Sequence, residues 1–122
     1  MLLAIFEKGI TLFHIMSMIR DIATPDTKFY ESAYTLEYTS DMLTKGETSF
    51  LDPIKDMYNE ETEVVAVSSM CHTDEPITFI EFVDLFNKLP QNVPIERDVE
   101  DGYVYNKFTY IFYNGNTVVL GG

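Results

Sequence analysis

The chain has 122 residues, 46% of them hydrophobic, with 20 acidic and 8 basic residues and a net charge of −12. That length suits a single globular domain, 1–122, and the apolar content excludes a disordered chain. The acidic balance argues against direct binding to nucleic acid or to an anionic membrane, because both depend on basic patches.

From Leu2 the apolar residues Leu2, Ile5, Phe6, Leu12, Phe13, Met16, Ile19 and Ala23 recur at helical spacing, which predicts one helix over this segment. A rival reading is a strand over Leu2–Phe6 followed by a helix from Ile10. Thr24-Pro25-Asp26 has the form of a helix start and Lys45-Gly46 of its stop, so a second helix is expected between them. Asp52-Pro53 repeats the start signal and predicts a short helix to about Asn59. Val64–Val67 reads as a buried strand. Thr78 and Glu81 have capping-box spacing ahead of Phe82, Val83, Phe86 and Leu89, predicting a helix over 77–89 stopped by Pro90. Residues 94–101 read as loop or irregular edge. Tyr103–Tyr113, Asn114-Gly115 and Thr117–Leu120 predict a hairpin through a type I′ turn. No internal repeat is apparent. The expected fold is α+β: a helical N-terminal half packed on a small antiparallel sheet that ends in a C-terminal β-hairpin.

Few residues suggest chemistry. Ile77–Phe86 resembles the end of an EF-hand calcium loop with its exiting helix, which would make Glu81 the bidentate last ligand. Only Asp74 and Glu81 fit that pattern, and Glu75 stands where glycine is needed, so calcium is not expected. Cys71 and His72 are neighbours in sequence, and neighbouring side chains of an extended segment point apart, which is poor geometry for a nucleophile and its base. Two histidines and one cysteine make no recognisable zinc pattern. The terminal Gly121-Gly122 is similar to the tail of ubiquitin-like modifiers and sulfur carriers, but Leu120 reads as part of a strand. No catalytic residue, cofactor or metal is expected.

The single cysteine cannot form an internal disulfide. The N-terminus has no basic n-region, and the apolar stretch Ile10–Ile19 is far shorter than the roughly 20 residues that span a bilayer. These features suggest a cytoplasmic protein. Between Asp56 and Asn87 lie eight acidic residues and no Lys or Arg: Asp56, Glu60, Glu61, Glu63, Asp74, Glu75, Glu81 and Asp84. They are the expected partner-binding residues. The partner they suit is a protein with a basic surface, such as a nucleic-acid-binding protein. The function expected is a small acidic binding protein, an inhibitor or anti-defence protein of the phage type that occupies such a surface. The alternatives are a structural or assembly subunit that binds through its Tyr- and Met-rich surface, and an enzyme of unrecognised type.

Overall fold

A computed structural model describes residues 2–32, 37–39, 49–68, 75–98 and 105–122. Among the described residues strand predominates over helix, and residues 37–39 form a helical turn besides the two helices named below. The strands are β1 (Leu2–Ile5), β2 (Lys28–Ser32), β3 (Ser49–Phe50), β4 (Asp52–Asn59), β5 (Val64–Ser68), β6 (Ile95–Asp98), β7 (Tyr105–Lys107), β8 (Tyr110–Asn114) and β9 (Thr117–Gly121). Helix α1 is Leu12–Ile19 and α2 is Phe79–Phe86. One sheet has the order β1-β8-β9-β2-β3 and the other β4-β5-β6-β7. Only Leu51 separates β3 from β4, and only Phe108 and Thr109 separate β7 from β8. Each of these two strands therefore belongs to both sheets. Together they close a ring of six strands, with β1 added outside along β8.

This architecture corrects the expected α+β fold. The N-terminal half is not helical, and neither sheet is purely antiparallel, since β2 pairs with β9 and β5 with β6 in parallel. The long first helix fails at Gly9, whose φ of 102° is outside the helical region. Leu2–Ile5 instead pairs with β8. The helix starts at Thr11, whose side chain accepts from His14 N–H while His14 Nδ1 accepts from Thr11 N–H. Thr24-Pro25-Asp26 forms a turn closed by Thr27 N–H donating to Thr24 O. Proline in the first turn of a helix and proline in a β-turn have the same sequence signature. The Thr24 hydroxyl donates to Asp26 at 2.5 Å and holds that carboxyl below its usual range. Asp52-Pro53 opens strand β4, where Pro53 pairs with Val67 and a register irregularity follows before Tyr58. The segment expected to be loop contains β6, an interior strand with Ile95, Glu96 and Arg97 buried.

Other elements fall where the sequence placed them. Val64–Val67 is a buried strand, and α2 begins at Thr78 with the capping box to Glu81. β8 and β9 form the predicted hairpin, but its two turn residues are Gly115 and Asn116, since Asn114 pairs with Thr117. Gly115 has φ +62°, and Asn116 is not among the residues with positive φ. The turn is thus of the II′ pattern, with glycine first, rather than I′. Replacing Gly115 by Val should cost about 1–3 kcal/mol from backbone strain alone. An added Cβ would meet no atom within 4 Å, so steric contact contributes nothing. A thermal melt of G115V that overlays the wild-type curve would contradict the turn assignment.

The described elements of the two halves follow a similar order. Both helices follow an Ile-Thr pair, Ile10-Thr11 and Ile77-Thr78, and both threonines cap their helix with a reciprocal box. After α1 come β2, the long strand β3–β4 and the β5 arm of a hairpin. After α2 come β6, the long strand β7–β8 and β9. Each hairpin leaves its first strand through a Tyr-Asn pair, Tyr58-Asn59 and Tyr113-Asn114. The halves interlock, because β2 of the first pairs with β9 of the second and β6 of the second with β5 of the first.

Alternation along these strands fills the ring. Phe29, Val65, Val67, Ile95, Phe108, Ile111, Val118 and Leu120 join Ile10, Leu12, Ile15, Ile19, Phe82 and Phe86 of the helical segments in one buried cluster. Burial of each large side chain contributes about 1.5–3 kcal/mol relative to exposure. Tyr110, Phe112 and Val119 point outward and form a second cluster with Tyr30. Residues 37–39 cover its edge, where Thr39 Oγ1 lies 2.6 Å from Tyr110 Oη and 2.5 Å from Ser32 Oγ.

Candidate functional site

The structure divides the predicted acidic residues between two places. Glu60, Glu61 and Glu63 are exposed on the turn between β4 and β5. Asn59 Oδ1 accepts from the amides of Glu61 (2.9 Å) and Thr62 (3.3 Å), which fixes that turn, and Glu63 has a positive φ of 54°. Glu81 and Asp84 are exposed on α2, and Glu75 is exposed ahead of it. Glu81 has a local task, because its Oε1 accepts from Thr78 N–H at 3.1 Å. Asp56 lies in β4, while Asp74, Cys71 and His72 fall outside the described residues. Around Glu81 and Asp84 the outer face of α2 forms a shallow depression completed by Ile80, Val83 and Asn87. Ile80 is 62% exposed. Tyr30 lies in β2 against the outer cluster.

Two features escaped the sequence reading. The first is a buried ion pair inside the ring. Arg97 and Glu31 have 2% and 6% of their surface exposed, and Arg97 Nε donates to Glu31 Oε2. The Arg97 guanidinium also lies 4.8 Å from the Phe108 ring centroid, a cation–π arrangement. Nη1 and Nη2 are buried with no hydrogen-bond partner among the described residues. Burial pushes the Glu31 carboxyl above its ordinary range, against the opposing pull of the Arg97 charge. Glu31 stands beside Leu120 in the β2–β9 register and Arg97 beside Val67 in the β5–β6 register. The pair therefore joins corresponding strands of the two halves. Phe29-x-Glu31 and Ile95-x-Arg97 alternate so that each charge shares its strand face with a buried apolar residue, which marks the charges as inward-facing but does not pair them. Both side chains are sealed from solvent, so the pair ties the core rather than presenting a group to a substrate.

The second is a cleft of about 400 Å³ between the two helices. Leu12 and Met16 of α1 face Phe82, Val83 and Phe86 of α2, with Asn87 and Gln91 completing the wall. Gln91 holds the helices together at one end. Its side-chain NH2 donates to the backbone carbonyls of Phe86 (3.0 Å) and Leu89 (2.7 Å), and its backbone carbonyl accepts from Phe13 N–H (3.0 Å).

Among the described residues no group of three His, Cys, Asp or Glu side chains could hold a metal ion. Nor, among them, is any helix long and apolar enough to cross a membrane. Comparison with protein-family models, curated proteins and solved structures gave no match to this chain.

Proposed function

We propose that the chain is a binding protein rather than an enzyme, acting in the cytoplasm, and that it meets a basic partner through two acidic surfaces. One is the β4–β5 turn with Glu60, Glu61 and Glu63. The other is the outer face of α2 with Glu81 and Asp84. The observation that carries this reading is Ile80, a large apolar side chain that is 62% exposed with carboxylates at Glu81 and Asp84 beside it. An apolar anchor within a charged rim suits recognition of a protein of opposite charge. Nucleic-acid-binding proteins carry basic grooves by necessity, so occupation of such a groove is the specific form of the proposal.

Charge complementarity acts mainly on association, and exposed charges are screened over about 8 Å at physiological ionic strength. Affinity capture from the native host supplies the partner for a kinetic test. Changing Glu60, Glu61 and Glu63 together to Gln should slow association and flatten its salt dependence, with folding retained. I80S should speed dissociation. DNA or RNA should compete with this protein for the partner. Binding of nucleic acid and this protein to the partner at the same time would remove the groove-occupying form. Association indifferent to salt and to all these substitutions would remove the acidic surfaces altogether.

A further inference from the structure

We infer that the cleft between α1 and α2 is a binding site for a neutral, largely apolar small molecule that carries one hydrogen-bond donor. Its volume of about 400 Å³ lies within the roughly 300–1,000 Å³ range of small-molecule pockets. The walls are preformed. Leu12, Phe82 and Phe86 are buried, and Phe82 is stacked between Phe29 and Phe86 with both centroid distances at 4.4 Å. Each helix is also fixed at its start by a capping box. Half-buried Met16 on the opposite wall is unbranched and can adapt to the shape of an occupant.

The chemistry of the lining selects the ligand class. Every lining residue is uncharged, in a chain of net charge −12. An anion would enter against the protein's field and find no cation, and a cation would find no carboxylate in the wall. The amide nitrogen of Gln91 is committed to the Phe86 and Leu89 carbonyls, which leaves its side-chain oxygen as the acceptor for a ligand donor. The same residue closes one end, because it bonds the start of α1 and the end of α2 together. An extended peptide or helix could not run through a cleft so closed, which points to a compact molecule.

The probe is N-phenyl-1-naphthylamine, a neutral aromatic amine with one N–H, followed by its fluorescence. Its comparator is 8-anilino-1-naphthalenesulfonate, the same skeleton with a negative charge. The neutral probe should bind saturably, one molecule per chain, and the sulfonate should bind at least about tenfold more weakly. V83W, which fills the cleft from α2, should weaken the neutral probe by at least about tenfold while the circular dichroism spectrum and melting curve remain those of a folded protein. A readout on the unmodified protein guards against a misfolded variant: the Met16 methyl resonance should shift with probe concentration and reach a plateau with the fluorescence. Failure to saturate, equal affinity for the sulfonate, a folded V83W with unchanged affinity, or a Met16 methyl that does not move would each overturn the proposal. Sedimentation revealing a dimer that V83W dissociates would assign the cleft to a second copy of the chain and overturn it as well.

Discussion

Replacing Arg97 by methionine is expected to destabilise the fold by about 3–5 kcal/mol, because removing one partner of a buried ion pair strands the other charge in the core. Glu31 would then lie with little exposed surface and without the guanidinium that now donates to it. Replacing both, Glu31→Met with Arg97→Met, should recover most of the loss, since two apolar side chains of similar length need no partners. The same pair predicts a dependence on pH. Burial raises the Glu31 carboxyl above its ordinary value, so in the folded state it keeps its proton to higher pH than in the unfolded chain. The contribution of that group to stability is full below the unfolded value and is lost as pH rises through the folded one. Arg97 opposes the rise, so its removal should enlarge the effect. Urea unfolding at about pH 5 and about pH 8 should therefore show a larger deficit for R97M at the higher pH. A deficit equal at both, or a double variant no better than the single, would show that Glu31 is not the group left stranded.

The second large effect is expected at Gly121. A Cβ there would lie 2.1 Å from Tyr110 Cζ and 2.2 Å from its Oη, far inside van der Waals contact. The ring has little freedom to retreat, since Tyr110 is buried and its hydroxyl lies 2.6 Å from Thr39 Oγ1. Inserting one methyl group into such a site costs about 1–3 kcal/mol, and Gly121→Ala should fall at the upper end. Tyr110→Leu in the G121A background should return part of the loss by opening the space, and a double-mutant cycle on thermal melts measures that coupling. Strict additivity of the two substitutions would mean that the ring is not what Gly121 makes room for. Gly121 is buried at the end of β9, and its carbonyl accepts from Thr109 N–H, so it belongs to the sheet rather than to a free tail like that of a carrier protein.

What could be read in advance depended on whether one local signal had one physical meaning. Thr78 with Glu81 specifies a helix start, and the apolar spacing after it agrees, so α2 was legible. Glycine between β-branched and aromatic runs specifies a hairpin, but the turn lies one residue later and is of another type, and the expected run Tyr103–Tyr113 is divided between β7 and β8. Thr24-Pro25-Asp26 is ambiguous because proline presets the same φ in a helix start and in a turn, and the resulting strand was read as a helix. Leu2–Ile5 was absorbed into a helical period that Gly9 interrupts. Exposure of Glu60, Glu61, Glu63, Glu81 and Asp84 follows from their charge, but their division between a turn and a helix depends on tertiary structure. Glu31 and Arg97 are 66 residues apart, and nothing local to either announces the other. The similar order of elements in the two halves rests on long-range strand pairing, which no local residue pattern carries.

The interlocking of the two halves bears on how the chain acquires its structure. β2 finds its parallel neighbour only in β9, and β5 only in β6, so neither half can complete its hydrogen-bonded ladder alone. Most of the stabilising pairings are remote in sequence, and the entropy of closing those loops is lost before the contacts form. During synthesis β2 waits until everything from β3 to β8 has been made before β9 emerges. Over that interval its open ladder is a surface to which another strand could add. The net charge of −12 acts against such addition, since mutual repulsion keeps unfinished copies apart until β9 is made.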